Sequence, residues 1–284
     1  MQPNIPDSVD NSVVISLIYA AMAEDIGKNG DITSDSVIPE DVNFSGMMVA
    51  RHSMCIAGLG LAGLIFKSVN PDLDWQSDVE DGEFVKAGTV LATISGCARD
   101  LLMAERTALN LLQHLSGIAT LAHEYVDAIK GTGAYILDTR KTVPMYRELA
   151  KYASRMGGVT NHRMRLDDLV LIKDNHIAVA GDIVTAITRA KAAGHTILEV
   201  ECDDLDQVKL ALNEGVDAIL LDNMSLDQLR EAVDLIGDQA RTEASGGVNL
   251  ETVRAIAETG VKSISVGRIT QSAPSVDIGL DWKP

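Results

Sequence analysis

The sequence predicts an α/β fold whose larger part is an incomplete βα barrel. After residue 131, strand-length apolar runs alternate with helical stretches. From Leu169 onward the strands recur roughly every 21 to 28 residues, a spacing typical of βα units around a parallel sheet. Polar, reactive side chains follow these runs, at the point where each strand ends.

Six apolar runs are predicted as strands: AYILD, DLVLIKD, TILEVE, DAILLD, TEASGG and SISVG, with GGVTNHR as a candidate seventh. The helices between them are predicted in AGDIVTAITRAKAAG, DDLDQVKLALNEG, SLDQLREAVDLIG and NLETVRAIAETG. A barrel builds its active site from the ends of several strands, as the polar residues here suggest. The alternative, a doubly wound open sheet, would gather its ligand at one switch point.

The first 130 residues lack this regular alternation of predicted strands and helices. Residues 11–24 are predicted as an amphipathic helix, DIGKNGDITSD as a loop, and residues 42–95 as β-rich, with a hairpin in DGEFVKAGTVLATISG. Residues 98–130 are predicted as two helices that join near Gly117. A chain of 284 residues suits one large domain or two smaller ones.

The composition excludes several classes of protein. A formal net charge of −17 argues against non-specific binding to nucleic acids or anionic membranes. Three scattered cysteines, without a CxxC pair, suggest neither a disulfide framework nor a zinc site. The N-terminus is unlike a signal peptide, and the longest apolar run, residues 13–23, is too short to span a bilayer. We expect a cytoplasmic protein.

The segment from Asp138 to His176 runs against the acidic balance of the chain, because it holds eight Lys or Arg residues and five acids. A cationic focus in an acidic protein is where a small anion would collect. Its candidate ligands for a dianion are Arg140, His162, Arg163 and Lys173. Arginine can hold a carboxylate in a bidentate manner, whereas lysine and histidine supply single donors. The alternative is a solvated basic helix face.

Two acids end successive predicted strands: Glu201 follows LEV and Asp222 follows ILL. On neighbouring barrel strands they would face one mouth, where two hard carboxylates beside several cations suggest Mg²⁺ shared with a polyphosphate. Salt bridges to the nearby Lys and Arg residues explain the same positions equally well.

Two glycine-containing turns follow the last two strands. They are Ser245-Gly246-Gly247 and Val266-Gly267-Arg268. Glycine lets backbone N–H groups approach a phosphate closely, and barrels often hold phosphate at their last two strands. For each of these turns taken by itself, the alternative is a simple tight turn that binds no ligand.

These residues also carry a resemblance to a known family. DTRKT, GG-x-x-NHR, LIKDNH, EVE, LLDN, SGG and SVG, in this order, with DIGKNGDITSD and ERTALNLLQHLSGIAT before them, resemble quinolinate phosphoribosyltransferase. The resemblance covers nearly the whole chain. It implies an N-terminal α/β sandwich domain (residues 1–117, joined by the tail 270–284) and an incomplete βα-barrel phosphoribosyltransferase domain (residues 118–269). It also implies a homodimer in which Arg106 reaches the partner's barrel.

The resemblance further implies the reaction of quinolinate with phosphoribosyl pyrophosphate to give nicotinate mononucleotide, pyrophosphate and CO₂, a step of NAD biosynthesis. Lys141, Lys173, Glu201 and Asp222 would be catalytic, with Mg²⁺ on Glu201 and Asp222 and no organic cofactor. The substrates would be held by Arg106, Thr139, Arg140, Lys141, His162, Arg163, Lys173, Ser245, Gly246, Gly247, Val266, Gly267 and Arg268.

The chain departs from the family pattern at three positions, because Val159, Arg165 and Met145 stand where glycine is usual. A β-branched residue such as Val159 does not easily adopt a positive φ. Two alternatives therefore stay open. One is a related pyrophosphorylase with another substrate, such as the molybdenum-transport-associated paralogues. The other is a non-catalytic protein that binds a phosphate ligand on the same scaffold.

Overall fold

The computed structural model describes residues 3–282, which form two compact units. The first takes in the chain up to His123, together with Thr142–Gly158 and the segment from Ser272 onward. The second comprises Glu124–Lys141 and Val159–Gln271. The predicted division after residue 117 stays a prediction.

The first unit combines helices with a four-stranded antiparallel sheet. Its elements are α1 (Asn11–Ile26), α2 (Ile32–Val37), β1 (Asn43–Ala50), β2 (Met54–Cys55), α3 (Leu59–Val69), β3 (Asp74–Ser77), β4 (Phe84–Val85), β5 (Val90–Cys97), α4 (Ala98–Ala128, which ends inside the second unit), α5 (Arg147–Met156) and β12 (Ile278–Trp282). The sheet has the order β12-β1-β5-β3, and β2 pairs separately with β4.

Helix α1 confirms the predicted amphipathic helix. The Asp10 side chain caps its first turn by accepting a hydrogen bond from the N–H of Ser12 at 2.9 Å. Val14, Ile18 and Met22, four residues apart, are the buried positions. The loop predicted just after it contains one more helix, α2, because the carboxylate of Asp31 caps the N–H groups of Thr33 and Ser34.

The prediction of two helices in residues 98–130 is wrong, because α4 continues unbroken through Gly117. A Cβ on Gly117 would lie 2.1 Å from the carbonyl oxygen of Pro274. Glycine therefore serves close packing of the C-terminal segment at this position, and does not break the helix. That segment continues into β12, which pairs with β1 from Gly46 to Ala50.

The predicted hairpin in residues 81–96 is also wrong. β4 has only two residues and pairs with β2, whereas the longer β5 lies between β1 and β3. The eight-residue β5 finds a partner of equal length in β1, which satisfies more backbone groups than two-residue β4 could.

The second unit is built on six parallel strands. They are β6 (Tyr135–Leu137), β7 (Val170–Ile172), β8 (Leu198–Cys202), β9 (Ala218–Asp222), β10 (Arg241–Ser245) and β11 (Ser263–Ser265), in the order β6-β11-β10-β9-β8-β7. Its further helices are α6 (Asp174–Ala180), α7 (Ile183–Ala192), α8 (Leu205–Asn213), α9 (Leu226–Ile236), α10 (Val253–Ala257) and α11 (Gly267–Gln271). The predicted incomplete βα barrel is confirmed. GGVTNHR adds only one parallel bridge, Thr160 to Leu137.

Parallel register brings the carboxyl ends of the strands together. Asp222 of β9 pairs with Ser245 of β10, and Ser265 of β11 pairs with Leu137 of β6. Asp204 and Ser225 cap the helices that directly follow β8 and β9, so the chain turns back sharply after these strand ends. Side chains from several strand ends therefore share one mouth.

Within residues 3–282, no helix combines the length and the apolar character needed to cross a bilayer.

Met145 adopts a φ of +66°, a left-handed conformation that disfavours a side chain, and it is 81% exposed. The left-handed region costs an L-residue about 1–2 kcal/mol, while glycine loses about 0.5–1 kcal/mol in chain entropy. Met145→Gly is therefore expected to raise the free energy of unfolding by about 0.5–1 kcal/mol in guanidinium titrations.

Val143→Gly is the matched control, because Val143 is exposed in the same loop and has no positive φ. It should lower stability through chain entropy alone. If the two variants changed stability by the same amount, strain at Met145 would be ruled out.

Candidate active site

A cavity of about 600 Å³ opens at the carboxyl ends of the barrel strands in the second unit. It brings together predicted residues from the ends of all six strands and the intervening loops. These are Thr139, Arg140, Lys141, His162, Arg163, Lys173, Glu201, Asp222, Ser245, Gly246, Gly247, Gly267 and Arg268. Their convergence in one concave site is the arrangement expected for a small-molecule pocket.

Arg140 and Arg163 form the cationic wall of this cavity. Burial lowers the pKa of Arg163, and the like charge of Arg140 lowers it further. Arg163 Nη1 donates to the carbonyl of Leu169 at 2.9 Å, whereas Arg140 Nε is buried without a hydrogen-bond partner among the described residues. An unpaired buried donor is costly unless a ligand accepts from it, so this wall is suited to an anion.

The position of the wall depends on Asp138, which is fully buried. Its carboxylate accepts hydrogen bonds from the N–H of His162 at 2.9 Å and from Asn161 Nδ2 at 2.5 Å. The carboxylate thus fastens the loop that carries Arg163 to the end of β6, next to Arg140. Asp138 thus positions this loop without itself lining the cavity.

Lys173 and Glu201 form an ion pair inside the cavity. Lys173 stands just before α6, and Glu201 lies in β8 with its side chain largely buried. Burying a carboxylate requires a charged partner, which Lys173 supplies. The pair presents the more exposed ammonium group to the cavity.

Asp222 and Ser245 end neighbouring strands and are hydrogen bonded, with the Ser245 hydroxyl as donor. Asn223 Nδ2 donates to the other carboxylate oxygen at 2.5 Å. Gly246 follows with a φ of +91°, and a Cβ there would lie 2.1 Å from Asn223 Oδ1. This turn therefore requires glycine, and its backbone forms part of the cavity wall.

The second glycine turn packs against Lys141. A Cβ on Gly267 would lie 2.9 Å from Lys141 Cδ, and Thr270 Oγ1 donates to the Lys141 carbonyl at 2.8 Å. Val266 does not line the cavity, since its side chain is buried and its N–H donates to the Leu137 carbonyl at 2.9 Å.

Arg106 belongs to the first unit, where it is exposed on α4. Val159 is buried without a positive φ, because the preceding Gly158 takes that conformation with a φ of +91°. Valine is therefore compatible with the backbone at this departure from the family pattern. At the second departure, the N–H of Arg165 donates to the Asp168 carboxylate at 3.0 Å.

Sequence reasoning missed a buried cluster of His162, Glu199 and Glu243. The His162 Nε2 atom lies 3.3 Å from Glu199 Oε2 and 3.6 Å from Glu243 Oε2. His162 Nδ1 accepts from the N–H of Arg163 at 2.7 Å, so both ring nitrogens have partners within the protein. The available signal was a glutamate inside each of two strands, Glu199 in LEVEC and Glu243 in RTEAS, because glutamate is rarely buried without a partner.

The two carboxyl groups of this cluster titrate in opposite directions. Burial and the charge of Glu199 raise the pKa of Glu243 to about 8. Burial also acts to raise the pKa of Glu199, but the hydrogen bond and charge of His162 outweigh it and lower that pKa. Glu243 is therefore the protonated member of the pair near neutral pH.

The raised pKa of Glu243 predicts a pH dependence of stability. Between about pH 4.3, where an unfolded glutamate titrates, and about pH 8, the folded chain keeps a proton that the unfolded chain has lost. Raising the pH through this window therefore disfavours the folded state. The free energy of unfolding should fall more steeply in the wild type than in Glu243→Gln, as urea titrations would measure. Parallel pH profiles for the two proteins would contradict a proton held on Glu243.

Comparison with known proteins matches both parts of the chain to one family. Residues 31–116 match the N-terminal domain of quinolinate phosphoribosyl transferase, and residues 118–281 match its C-terminal domain. The nicotinate-nucleotide pyrophosphorylase [carboxylating] of Mycobacterium leprae is 43% identical over 270 residues, covering 93% of this chain and 95% of that relative. The chloroplastic enzyme of the same name from Oryza sativa is 40% identical, covering 93% of this chain and 76% of its own length.

Solved structures agree with these matches. The nicotinate-nucleotide pyrophosphorylase from Francisella tularensis superposes with a TM-score of 0.92 at 35% identity, covering 100% of this chain and 99% of that one. The protein of that name from Ehrlichia chaffeensis has a TM-score of 0.92 at 38% identity, covering 97% and 99%. The chain therefore belongs to the quinolinate phosphoribosyltransferase family.

Proposed function

We propose that the protein transfers the phosphoribosyl group of phosphoribosyl pyrophosphate to quinolinate and releases CO₂, giving nicotinate mononucleotide and pyrophosphate for NAD biosynthesis. The observation that carries this proposal is the cavity itself. It is lined by Arg140, whose buried Nε has no partner among the described residues, and its glycine turns offer backbone to a phosphate. The curated relatives named above carry the corresponding activity in their names.

The cations of the cavity suit the two carboxylates of quinolinate. Arg140 and Arg163 are close enough to lower the pKa of Arg163, and a dianion between them would relieve that repulsion. Lys173 would contribute a third positive charge to the cavity, where its ammonium group is paired with Glu201. His162 would support this grip by holding the Arg163 backbone.

The transfer step breaks the bond between the ribose C1′ and the pyrophosphate oxygen. It builds positive charge on the ribose and negative charge on the leaving pyrophosphate. Lys141, held by Thr270 and Gly267, lies where it would neutralise the leaving group. Ser245, Gly246 and Gly247 would cradle the 5′-phosphate, together with Gly267 and Arg268.

Glu201 and Asp222 suit Mg²⁺, because this ion is usually held by one or two carboxylates together with substrate phosphates. They are oxygen donors that line the same cavity from neighbouring strands, β8 and β9. Bound there, Mg²⁺ would supply charge neutralisation for pyrophosphate.

The proposed dimer places Arg106 in the partner's site. On its own chain, Arg106 is an exposed cation of α4, which leaves it available to a second subunit. In a twofold dimer each subunit would complete the site of the other.

Lys173→Ala tests the assignment of the carboxylate-binding cations. Removing one preorganised charge from such a site costs about 10²- to 10³-fold in turnover. Quinolinate-dependent pyrophosphate release should fall by that factor while circular dichroism stays unchanged. Lys209→Ala, at an exposed lysine on α8, is the control and should keep full activity. Wild-type turnover in Lys173→Ala would overturn the assignment.

Mixed dimers test the contribution of Arg106. Arg106→Ala and Lys173→Ala subunits are each expected to be inactive alone. After co-refolding, about one quarter of the sites should combine an intact barrel with an intact partner arginine, so about one quarter of wild-type activity should return. No recovery from a mixture shown to contain mixed dimers would contradict an arginine shared across the interface.

A further inference from the structure

Glu243 lines the active-site cavity, yet the transfer step described above gives it no task. It is 5% exposed in the interior of the barrel. It also lines a second, smaller cavity of about 200 Å³, with residues such as Tyr135, Ala218 and Arg241 from the starts of the strands. His162 and Glu243 thus line both of these cavities, and Glu199 lines the smaller one.

The geometry of the cluster requires a proton. Glu199 and Glu243 are both buried, and their carboxylate oxygens lie within 4.8 Å of each other and of the same imidazole, which disfavours two ionised carboxylates. His162 Nε2 lies closer to Glu199, at 3.3 Å, than to Glu243, at 3.6 Å, while the Ser265 hydroxyl donates to Glu243 Oε1 at 2.5 Å. The shared proton therefore resides on Glu243, in agreement with its raised pKa.

The proposed reaction needs one proton at a defined carbon. After ribosylation, the bond between the ring carbon beside nitrogen and its carboxylate breaks, and CO₂ leaves without the bonding electrons. The electron pair stays on that ring carbon, stabilised by the adjacent cationic nitrogen. A new C–H bond must then form there, so the step consumes one proton for each CO₂ released.

We propose that Glu243 is the general acid that delivers this proton to the decarboxylated ring carbon. The inference rests on the proposed function. Glu243 accepts from Ser265 on one carboxyl oxygen, whereas Glu201 accepts from the cation Lys173 and Asp222 accepts on both oxygens, from Ser245 and Asn223. Glu243 becomes a carboxylate when it gives up its proton, and the smaller cavity offers a path for regaining one from water behind the substrate.

Single-turnover experiments on Glu243→Gln separate the two chemical steps. Glutamine keeps the size and hydrogen bonding of a protonated glutamate but donates no proton. Pyrophosphate release should stay within about threefold of the wild type, while nicotinate mononucleotide forms about 10²- to 10⁴-fold more slowly, the usual worth of general acid catalysis. Glu243→Asp should restore part of the second step. Glu231→Gln, at an exposed acid of α9, is the control.

Three outcomes would overturn the proposal. Mononucleotide formation that keeps pace with pyrophosphate release in Glu243→Gln would show that another group supplies the proton. Equal losses in both steps would assign Glu243 to binding or structure. A stoichiometric transition metal in the purified protein, bound by the cluster, would leave Glu243 no proton to give. A wild type without pyrophosphate or CO₂ release would instead defeat the proposed function, and this inference with it.

The wild type supplies a test that does not depend on a variant folding. The charged groups around Glu243 are Glu199 from β8 and His162 from the loop after Thr160, while Arg241 acts on Glu199. As Glu243 deprotonates above about pH 8, mononucleotide formation should slow and pyrophosphate release should not. A rate of mononucleotide formation that is constant up to about pH 10 would contradict the proposal.

Discussion

Burying opposite charges together at one end of six parallel strands is the constraint on which the site depends. Charged side chains leave water at high cost unless each finds a partner. Lys173 meets Glu201, and Asp222 accepts from Ser245, so the strand ends hold their charges in fixed places. Arg140 is the exception, with a buried Nε that has no partner among the described residues. An anionic substrate that accepted a hydrogen bond from this Nε would recover the free energy that its burial without a partner costs.

The neighbouring strands β8, β9 and β10 carry acids at two levels with different surroundings. Glu201 and Asp222 stand at strand ends in the cavity, where Glu201 is paired with Lys173 and Asp222 accepts from Ser245. Glu199 and Glu243 lie deeper in the strands, where burial and mutual repulsion keep one proton between them. On β8, two residues of strand length thus separate Glu201, a proposed metal ligand, from Glu199 of the buried cluster. His162 links the levels, because its ring contacts Glu199 and its Nδ1 holds the backbone of Arg163.

The sequence allowed prediction of the features that follow from local periodicity. The six strands appear in the sequence as apolar runs that end in polar residues, and parallel register then brings those ends together.

Features that depend on packing between distant segments were not predicted. Gly117 looked like a helix break, but it admits Pro274 against an unbroken helix. Glu199 and Glu243 looked like ordinary strand residues, because their approach to His162 depends on the loop that Asp138 fastens. Met145 departs from the family glycine and keeps a backbone conformation that favours glycine.

The most direct measurement of the central claim is the stoichiometry of one reaction. Purified protein would be supplied with quinolinate labelled in the carboxylate beside the ring nitrogen, phosphoribosyl pyrophosphate and Mg²⁺. The account predicts labelled CO₂, pyrophosphate and nicotinate mononucleotide in equal amounts, with none formed when any component is omitted or when nicotinate replaces quinolinate. Pyrophosphate release without labelled CO₂, or turnover of nicotinate in place of quinolinate, would contradict a decarboxylating transferase.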